Sequence, residues 1–358
     1  MRNSFLTIFV AFLLVAGAKA QTTVLKYTPG VTTDGVVYYM PLTVFKVSIT
    51  ATRTTKHPGD FHNYAQRFLR INDVVKTEET AWKIDKVDVV ATSVPDTAKA
   101  HIVLLKKGTS APLCTLNDNG ILLAINAQTP KFVEPETKDI KAASTEKVNS
   151  RDFLNEEILA AGSELKMAEL TAAEIYNIRE SRSELTKGEA DYMPKDGEQL
   201  KLMLSKLDEQ EHALLQLFKG YSDTETKTWT LYYTPQYGVA KEVVARFSDQ
   251  AGLVDKENLS GAPIYIEVEN KNTVPHGRTE LADKKLEGRV VYFNVPSQAV
   301  VKLLFNGEEF YRKQTPVAQF GREDYLSDDL FNKRATCKVW FNPVTGAIDK
   351  IEDDSLKK

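Results

Sequence analysis

Arg179 and Arg182 stand one helical turn apart, and Glu189 and Asp191 follow them in the stretch IRESRSELTKGEADYMPKDGEQL. A pair of guanidinium groups can hold one carboxylate or phosphate through a planar fork of N–H donors. The arginines can therefore grip the acids of their own loop, which is structural, or an anionic group on a partner. The residue types favour the structural use and leave the four side chains as candidate partner-binding residues. Glu189 and Asp191 do not have the D-x-[DN]-x-[DN]-G spacing of a calcium loop. In the same stretch Asp196 and Gln199 have the spacing of a capping box for a following helix.

The other chemistry-bearing types are sparse. Cys114 and Cys337 are the two cysteines of the 358-residue chain, too few for a disulfide scaffold. They can form one bridge or pack as small hydrophobes in the runs PLCTL and TCKVWF, and neither has the company a zinc site needs. In HPGDFH, His57 and His62 flank Asp60 as a conceivable metal set, but Asp60 is also placed to cap the next helix, and the capping role is preferred. His101 lies in an apolar run, His212 on a charged helix and His276 in a turn, none beside a nucleophile in a recognisable setting. There is no G-x-S-x-G elbow and no glycine-rich phosphate loop, so no cofactor is expected. A carboxylate pair for glycoside hydrolysis has no specific signature among 49 acids.

The elements that must position these groups fall into a β–α–β order. Val36 to Tyr39 and Val44 to Thr50 read as two strands broken by Pro41. Trp82, Ile84, Val87 and Val89 share a face with a register shift at Lys86, His101 to Leu105 is a further run, and Asn117 to Gly120 is a hairpin turn. A helix with Phe61, Tyr64, Ala65 and Phe68 on one face interrupts them. From Arg151 to Gly220 the period turns helical: Leu165, Ala168, Ala172, Ile175, Arg179, Arg182 and Leu185 recur at helical steps. So do Leu200, Leu204, Leu207, Glu211, Leu214 and Phe218, with Gly220 as the stop. Strand patterns then return at Trp229–Tyr233, Val243–Phe247, Ile264–Val268, Arg289–Phe293, Val300–Phe305 and Cys337–Ile348, the last turning at Pro343 to Gly346.

The expectation is an α+β fold: two mainly antiparallel β modules separated by a helical hairpin. The divisions are a signal peptide 1–20, a β-rich domain 21–130 with one short helix, a linker 131–150, the hairpin 151–220 and a second β-rich domain 221–358. Val36-Val37-Tyr38-Tyr39 with Pro41 is echoed by Val290-Val291-Tyr292-Phe293 with Pro296. Tyr64 to Phe68 has a weaker echo at Val317 to Phe320, and both cysteine strands precede a glycine turn. These matches raise a degenerate duplication of the β module.

Arg2, the apolar run Phe5 to Ala18 and Ala18-Lys19-Ala20 have the layout of a secretory signal cleaved before Gln21, too short for a membrane span. No cysteine follows it for lipid anchoring, and no transmembrane segment follows cleavage. A net charge of −3 offers no basic footprint for nucleic acid.

The start YTPGVTTDGVVYYMPLTVFKV, the middle stretch above and the close FNPVTGAIDKIE together resemble an uncharacterised group of exported proteins of gut-dwelling Bacteroidetes, filed as a domain of unknown function. The resemblance implies a Gram-negative periplasmic or surface protein and supplies no activity or catalytic residues. It also draws attention to Asp96-Thr97-Ala98 and Asp354-Ser355-Leu356, which match the O-glycosylation pattern of such exported proteins. The expected function is a non-enzymatic envelope module that binds an unidentified protein or glycan. The alternative is an exported carbohydrate-active hydrolase using a carboxylate pair.

Overall fold

The computed structural model describes residues 23–26, 35–104, 114–129, 149–282, 290–327, 331–332 and 335–353. The expected signal peptide, most of the expected linker and the Asp354-Ser355-Leu356 pattern lie outside them. The fold is α+β, with antiparallel sheets and a few helices. In chain order the strands begin with β1 Thr23–Lys26, β2 Gly35–His57 and β3 Glu79–Leu104. Between β2 and β3 lies the short helix α1 Ala65–Leu69. Then come β4 Cys114–Leu116, β5 Leu122–Ile125, the helices α2 Glu156–Leu159, α3 Glu164–Lys187 and α4 Gly197–Lys219, and β6 Tyr221–Tyr233. The remaining strands are β7 Lys241–Ser248, β8 Gly252–Val254, β9 Ala262–Asn270, β10 Gly277–Arg278, β11 Val290–Phe305, β12 Glu308–Ser327, β13 Phe331–Asn332, β14 Ala335–Phe341 and β15 Ile348–Asp353.

Two sheets form a sandwich. One has the order β1-β3-β2-β6, the other β10-β12-β11-β9-β7-β8. Alternate residues of β2 point inward, since side chains along a strand switch faces at every step. Phe45, Val47, Ile49 and Ala51 therefore meet Ile264, Ile266 and Val268 of β9 and Ala299, Val301 and Leu303 of β11 in one core. Each large apolar side chain among them contributes about 1.5–3 kcal/mol on full burial. A third sheet, β13-β14-β5-β4 with β15 on β14, closes one end. Its Leu122, Ile125, Val339 and Phe341 pack on Tyr38 and Met40 of β2 and Val291 of β11.

The two β-rich segments share sheets. β6, from beyond the helices, pairs with β2 along its whole length, and β14 pairs with β5. Side chains add ties between the halves. The Thr43 N–H donates to Gln319 Oε1 (3.0 Å), and Gln319 Nε2 donates to the Thr43 carbonyl (2.9 Å). Asn294 Nδ2 donates to the Pro41 carbonyl (3.2 Å).

Pro41 does not break its strand as expected. β2 runs through it, with a bulge at Tyr39/Met40. Proline is tolerated here because it lies opposite Pro95 and because β6 ends at Tyr233, opposite Phe45. Among the described residues, the other edge of Pro41 then has no ladder partner. Pro296, its echo, also sits at a bulge, between Val295 and Ser297 of β11. Both echo stretches open the first strand of a long hairpin, β2–β3 and β11–β12, and they touch: the Tyr292 N–H donates to Tyr38 Oη (3.1 Å). The weaker echo is not structural, because residues 64–68 belong to α1 and its approach whereas Val317 to Phe320 are strand. The register shift expected at Lys86 appears at Asp85, where β3 skips one residue opposite Thr50/Ala51.

The bulge in β11 is held by a close backbone approach. A Cβ on Gly321 would come within 1.9 Å of the Val295 carbonyl oxygen and 2.9 Å of Ser297 N, so only glycine fits. Gly321→Ala is expected to lower stability by about 1–3 kcal/mol, as overpacking does in a well-packed interior. Denaturant unfolding read by circular dichroism measures this, and an unchanged midpoint would sink the argument.

Candidate functional site

The helices form a separate core. Ala168, Ala172, Ile175 and Ile178 of α3 pack on Leu214, Leu217 and Phe218 of α4 and on Phe61, Ala65 and Leu69 from the β2–β3 connection. Ser163 caps α3 by accepting from Lys166 N (3.3 Å), and Asp196 caps α4 by accepting from Gln199 N (2.7 Å). Gln199 Oε1 accepts from Lys195 N, one residue before the position a capping box predicts. Gly220 ends α4 at φ +87°.

On this frame Arg179 and Arg182 meet an acid other than those expected. Arg179 Nε donates to Glu211 Oε1 at 2.6 Å, Arg182 grips Glu211 Oε2, and Arg182 also reaches Asp208 at 2.8 Å. The Glu211 side chain is only 11 % exposed. Burial alone would raise its carboxyl, but the bonds from Arg179 and Arg182 outweigh that and hold it below the ordinary carboxylate range. Glu189 and Asp191 sit exposed on the loop beyond α3, and the arginines turn away from them because α4 lies along their own face of α3. This cluster is a clasp between two helices, and its acid was already visible in the sequence as the polar member of the α4 stripe.

The larger feature lies where the helices meet the sandwich. A cleft of about 1400 Å³ opens between the ends of β2 and β6 on one side and α4 with residues 149–151 on the other. His57, the last residue of β2, lies opposite Tyr221, the first of β6, and their rings stack with centroids 4.8 Å apart. Its Nδ1 faces Glu78 and its Nε2 faces Asp223, both at 3.3 Å. Arg53 pairs with Glu225 at 2.5 Å, and Arg151 with Asp60 at 2.8 Å. The 149–151 segment is tied to α4 by Ser150 Oγ donating to Gln216 Oε1 (2.8 Å). The opposite lip is anchored at Gly59, whose missing side chain lets the chain lie on the end of α4. A Cβ there would stand 2.3 Å from the Leu217 carbonyl, which accepts instead from Phe61 N (2.7 Å). Tyr221 is 43 % exposed at the mouth.

Several expected roles change. Asp60 does not cap a helix. A 3-10 turn over His62–Tyr64 comes first, α1 starts without a side-chain cap, and Asp60 instead binds Arg151. His62 Nδ1 bonds the Gly59 carbonyl (2.9 Å), so His57, Asp60 and His62 do not converge. Among the described residues no group of three His, Cys, Asp or Glu side chains is arranged to hold a metal. Cys114 and Cys337 form no disulfide. Cys114 on β4 lies opposite Ile125 of β5, and β14, which carries Cys337, pairs with the other edge of β5. Val339 stands opposite Ile125 and Cys337 lies two residues farther along β14, so two strand spacings put the cysteines at least about 10 Å apart, beyond the Cα reach of a bridge. Burial pushes the Cys114 thiol up to about 11, which makes it a poor nucleophile. Thr97 of the Asp96-Thr97-Ala98 pattern stands exposed where β3 passes from Asp96 to Ala100 opposite the Tyr39/Met40 bulge. The cleft itself was not foreseen, because its lining comes from four stretches of chain with no common motif. The nearest signal was the HPGDFH turn.

A family model described as a domain of unknown function (DUF4831) matches residues 34–349, nearly the whole chain. No curated protein and no solved structure matches.

Glu211→Gln is expected to cost about 1.5–3 kcal/mol at neutral pH, the range for hydrogen bonds to a charged group. The folded-state carboxyl is depressed, so the stabilisation is complete above the ordinary glutamate value of about 4.3 and is lost as pH falls through the lower folded value. Unfolding free energies of both proteins across that range should converge in acid. A gap that stays constant with pH would contradict the clasp.

Proposed function

The chain belongs to the family of unknown function DUF4831, and we propose that it is an exported envelope protein that binds a neutral glycan in the His57 cleft without acting on it chemically. The observation that carries this reading is the internal pairing of the cleft's charges around an exposed aromatic ring. Arg53 is spent on Glu225, Arg151 on Asp60, and His57 lies between Glu78 and Asp223. A charged ligand would have to displace these pairs. What remains for a ligand is the ring of Tyr221 and the hydroxyls of Ser222 and Thr224, beside the Thr55 and Thr80 hydroxyls, which bond each other at 3.2 Å. An aromatic surface with a few placed polar groups suits a sugar, which offers an apolar ring face and many hydroxyls.

The hydrolase alternative fits less well. Paired catalytic carboxyls stand about 5–9.5 Å apart with the scissile bond, and in inverting enzymes a water, between them. Between Glu78 and Asp223 that space is filled by the His57 ring. Export to the periplasm or cell surface belongs to the same proposal and rests on residues 1–20. Amino-terminal sequencing of the protein from a periplasmic or surface fraction should begin at Gln21, and an intact amino terminus in the cytoplasm would refute it.

Titration calorimetry against a panel of neutral oligosaccharides should give binding in the micromolar to millimolar range, about −8 to −4 kcal/mol. Tyr221→Ala should weaken it about tenfold, whereas Tyr221→Phe, which keeps the ring, should not. Silence across the panel would refute glycan binding. Release of reducing ends that disappears in Glu78→Gln would establish the hydrolase instead.

A further inference from the structure

β6 is the edge of its sheet. All of its residues from Tyr221 to Tyr233 pair with β2 in one unbroken register, and among the described residues no strand flanks its other side. Most of its residues are partly or fully exposed. A long open edge is a template for another strand, and proteins ordinarily blunt one with proline, bulges or a row of like charges. β6 (YSDTETKTWTLYY) has no proline, no bulge, and central charges of opposite sign.

Its centre reads Thr224-Glu225-Thr226-Lys227-Thr228. In an antiparallel pair, directly opposed residues share a face of the sheet. If a second copy of β6 pairs about a two-fold axis through Thr226, Thr224 lies opposite Thr228, and Glu225 lies opposite Lys227 on both sides of the axis. Moving the axis by one residue either way sets two Glu225 or two Lys227 side chains against each other. The segment is thus complementary to itself in one register, as a two-fold interface requires.

We infer that the chain forms a homodimer by antiparallel pairing of β6 with β6 of a second copy, centred on Thr226. The two four-stranded sheets then join into one continuous sheet, a self-directed form of strand addition. Glu225, 55 % exposed and held by Arg53, gains Lys227 of the second copy on its open side. Tyr221 to Glu225 also line the cleft, so the axis sets the two clefts side by side. The inference does not depend on what the cleft binds.

Sedimentation equilibrium of the purified wild-type chain, of Glu225→Lys and of Lys227→Glu tests this. The wild type should be dimeric and weaken with salt, since exposed pairs are screened. Each variant alone opposes like charges at both positions and should be monomeric. An equimolar mixture of the two should recover the dimer. In the mixed pair the introduced lysine of one variant meets the introduced glutamate of the other, and the unchanged Lys227 meets the unchanged Glu225. Lys227→Glu leaves the Arg53–Glu225 pair intact, so a monomer there is not a consequence of losing that bridge. Recovery on mixing also shows that both variants are folded. A monomeric wild type, single variants that stay dimeric, or a mixture that stays monomeric would each overturn the proposal.

Discussion

β2 is hydrogen-bonded along both edges for most of its length, to β3 on one side and β6 on the other. Its two neighbours are distant in sequence in different degrees: β3 follows after the short excursion through α1, while β6 arrives only after both long helices. The β2–β6 ladder therefore closes the chain on itself. It completes the inner face that carries Phe45, Val47, Ile49 and Ala51 against β9 and β11. Its last rung, His57 opposite Tyr221, also fixes where both the α1 excursion and the end of α4 leave the sheet. The helical core and the cleft beneath it are consequences of that rung.

The helical unit shows a second constraint. Near the sandwich, α3 and α4 pack through Ala172, Ile175, Ile178, Leu214 and Phe218. Farther out the seam changes character and places Glu211 between Arg179 and Arg182. Burying a carboxylate is unfavourable unless its oxygens are hydrogen-bonded by charged partners, and here both are. The clasp ties the two helices with directional bonds beyond the apolar cluster of Ala172 to Phe218. The same logic governs the cleft, where opposite charges are consumed locally and leave hydroxyls and an aromatic ring at the mouth.

Much of the local structure could be read directly. The period-two runs became strands, the helical stripes became α3 and α4, and Asp196, Gly220, the Asn117 turn and the Gly346 turn acted as expected. These signals are local: a cap, a turn glycine or an alternation reports on neighbours a few residues away. The misreadings arose where a local signal met a distant competitor. Asp60 has the sequence context of a cap, but Arg151 claims it. Pro41 looks like a break, but Pro95 and the end of β6 remove the need for its missing donor. The two arginines have acids in the following loop, but the acid they hold lies across the hairpin. For Cys114 and Cys337 the sequence left a bridge and packed thiols both open, and β5 lying between their strands decides for the thiols.

By itself, the sequence determined the class of the fold, the helical hairpin and its ends, the full-length family resemblance and the scarcity of catalytic motifs. Those properties depend on composition, period and capping, which act within a turn or a strand. Which strands pair, and so which side chains share the cleft, was decided by the tertiary structure. β2 with β6 and β5 with β14 are partners that alternation alone does not specify, because any strand with one apolar face can pair with any other. The choice is made when the inner faces of β2, β9 and β11 fill one core and β5 joins β14 in the third sheet.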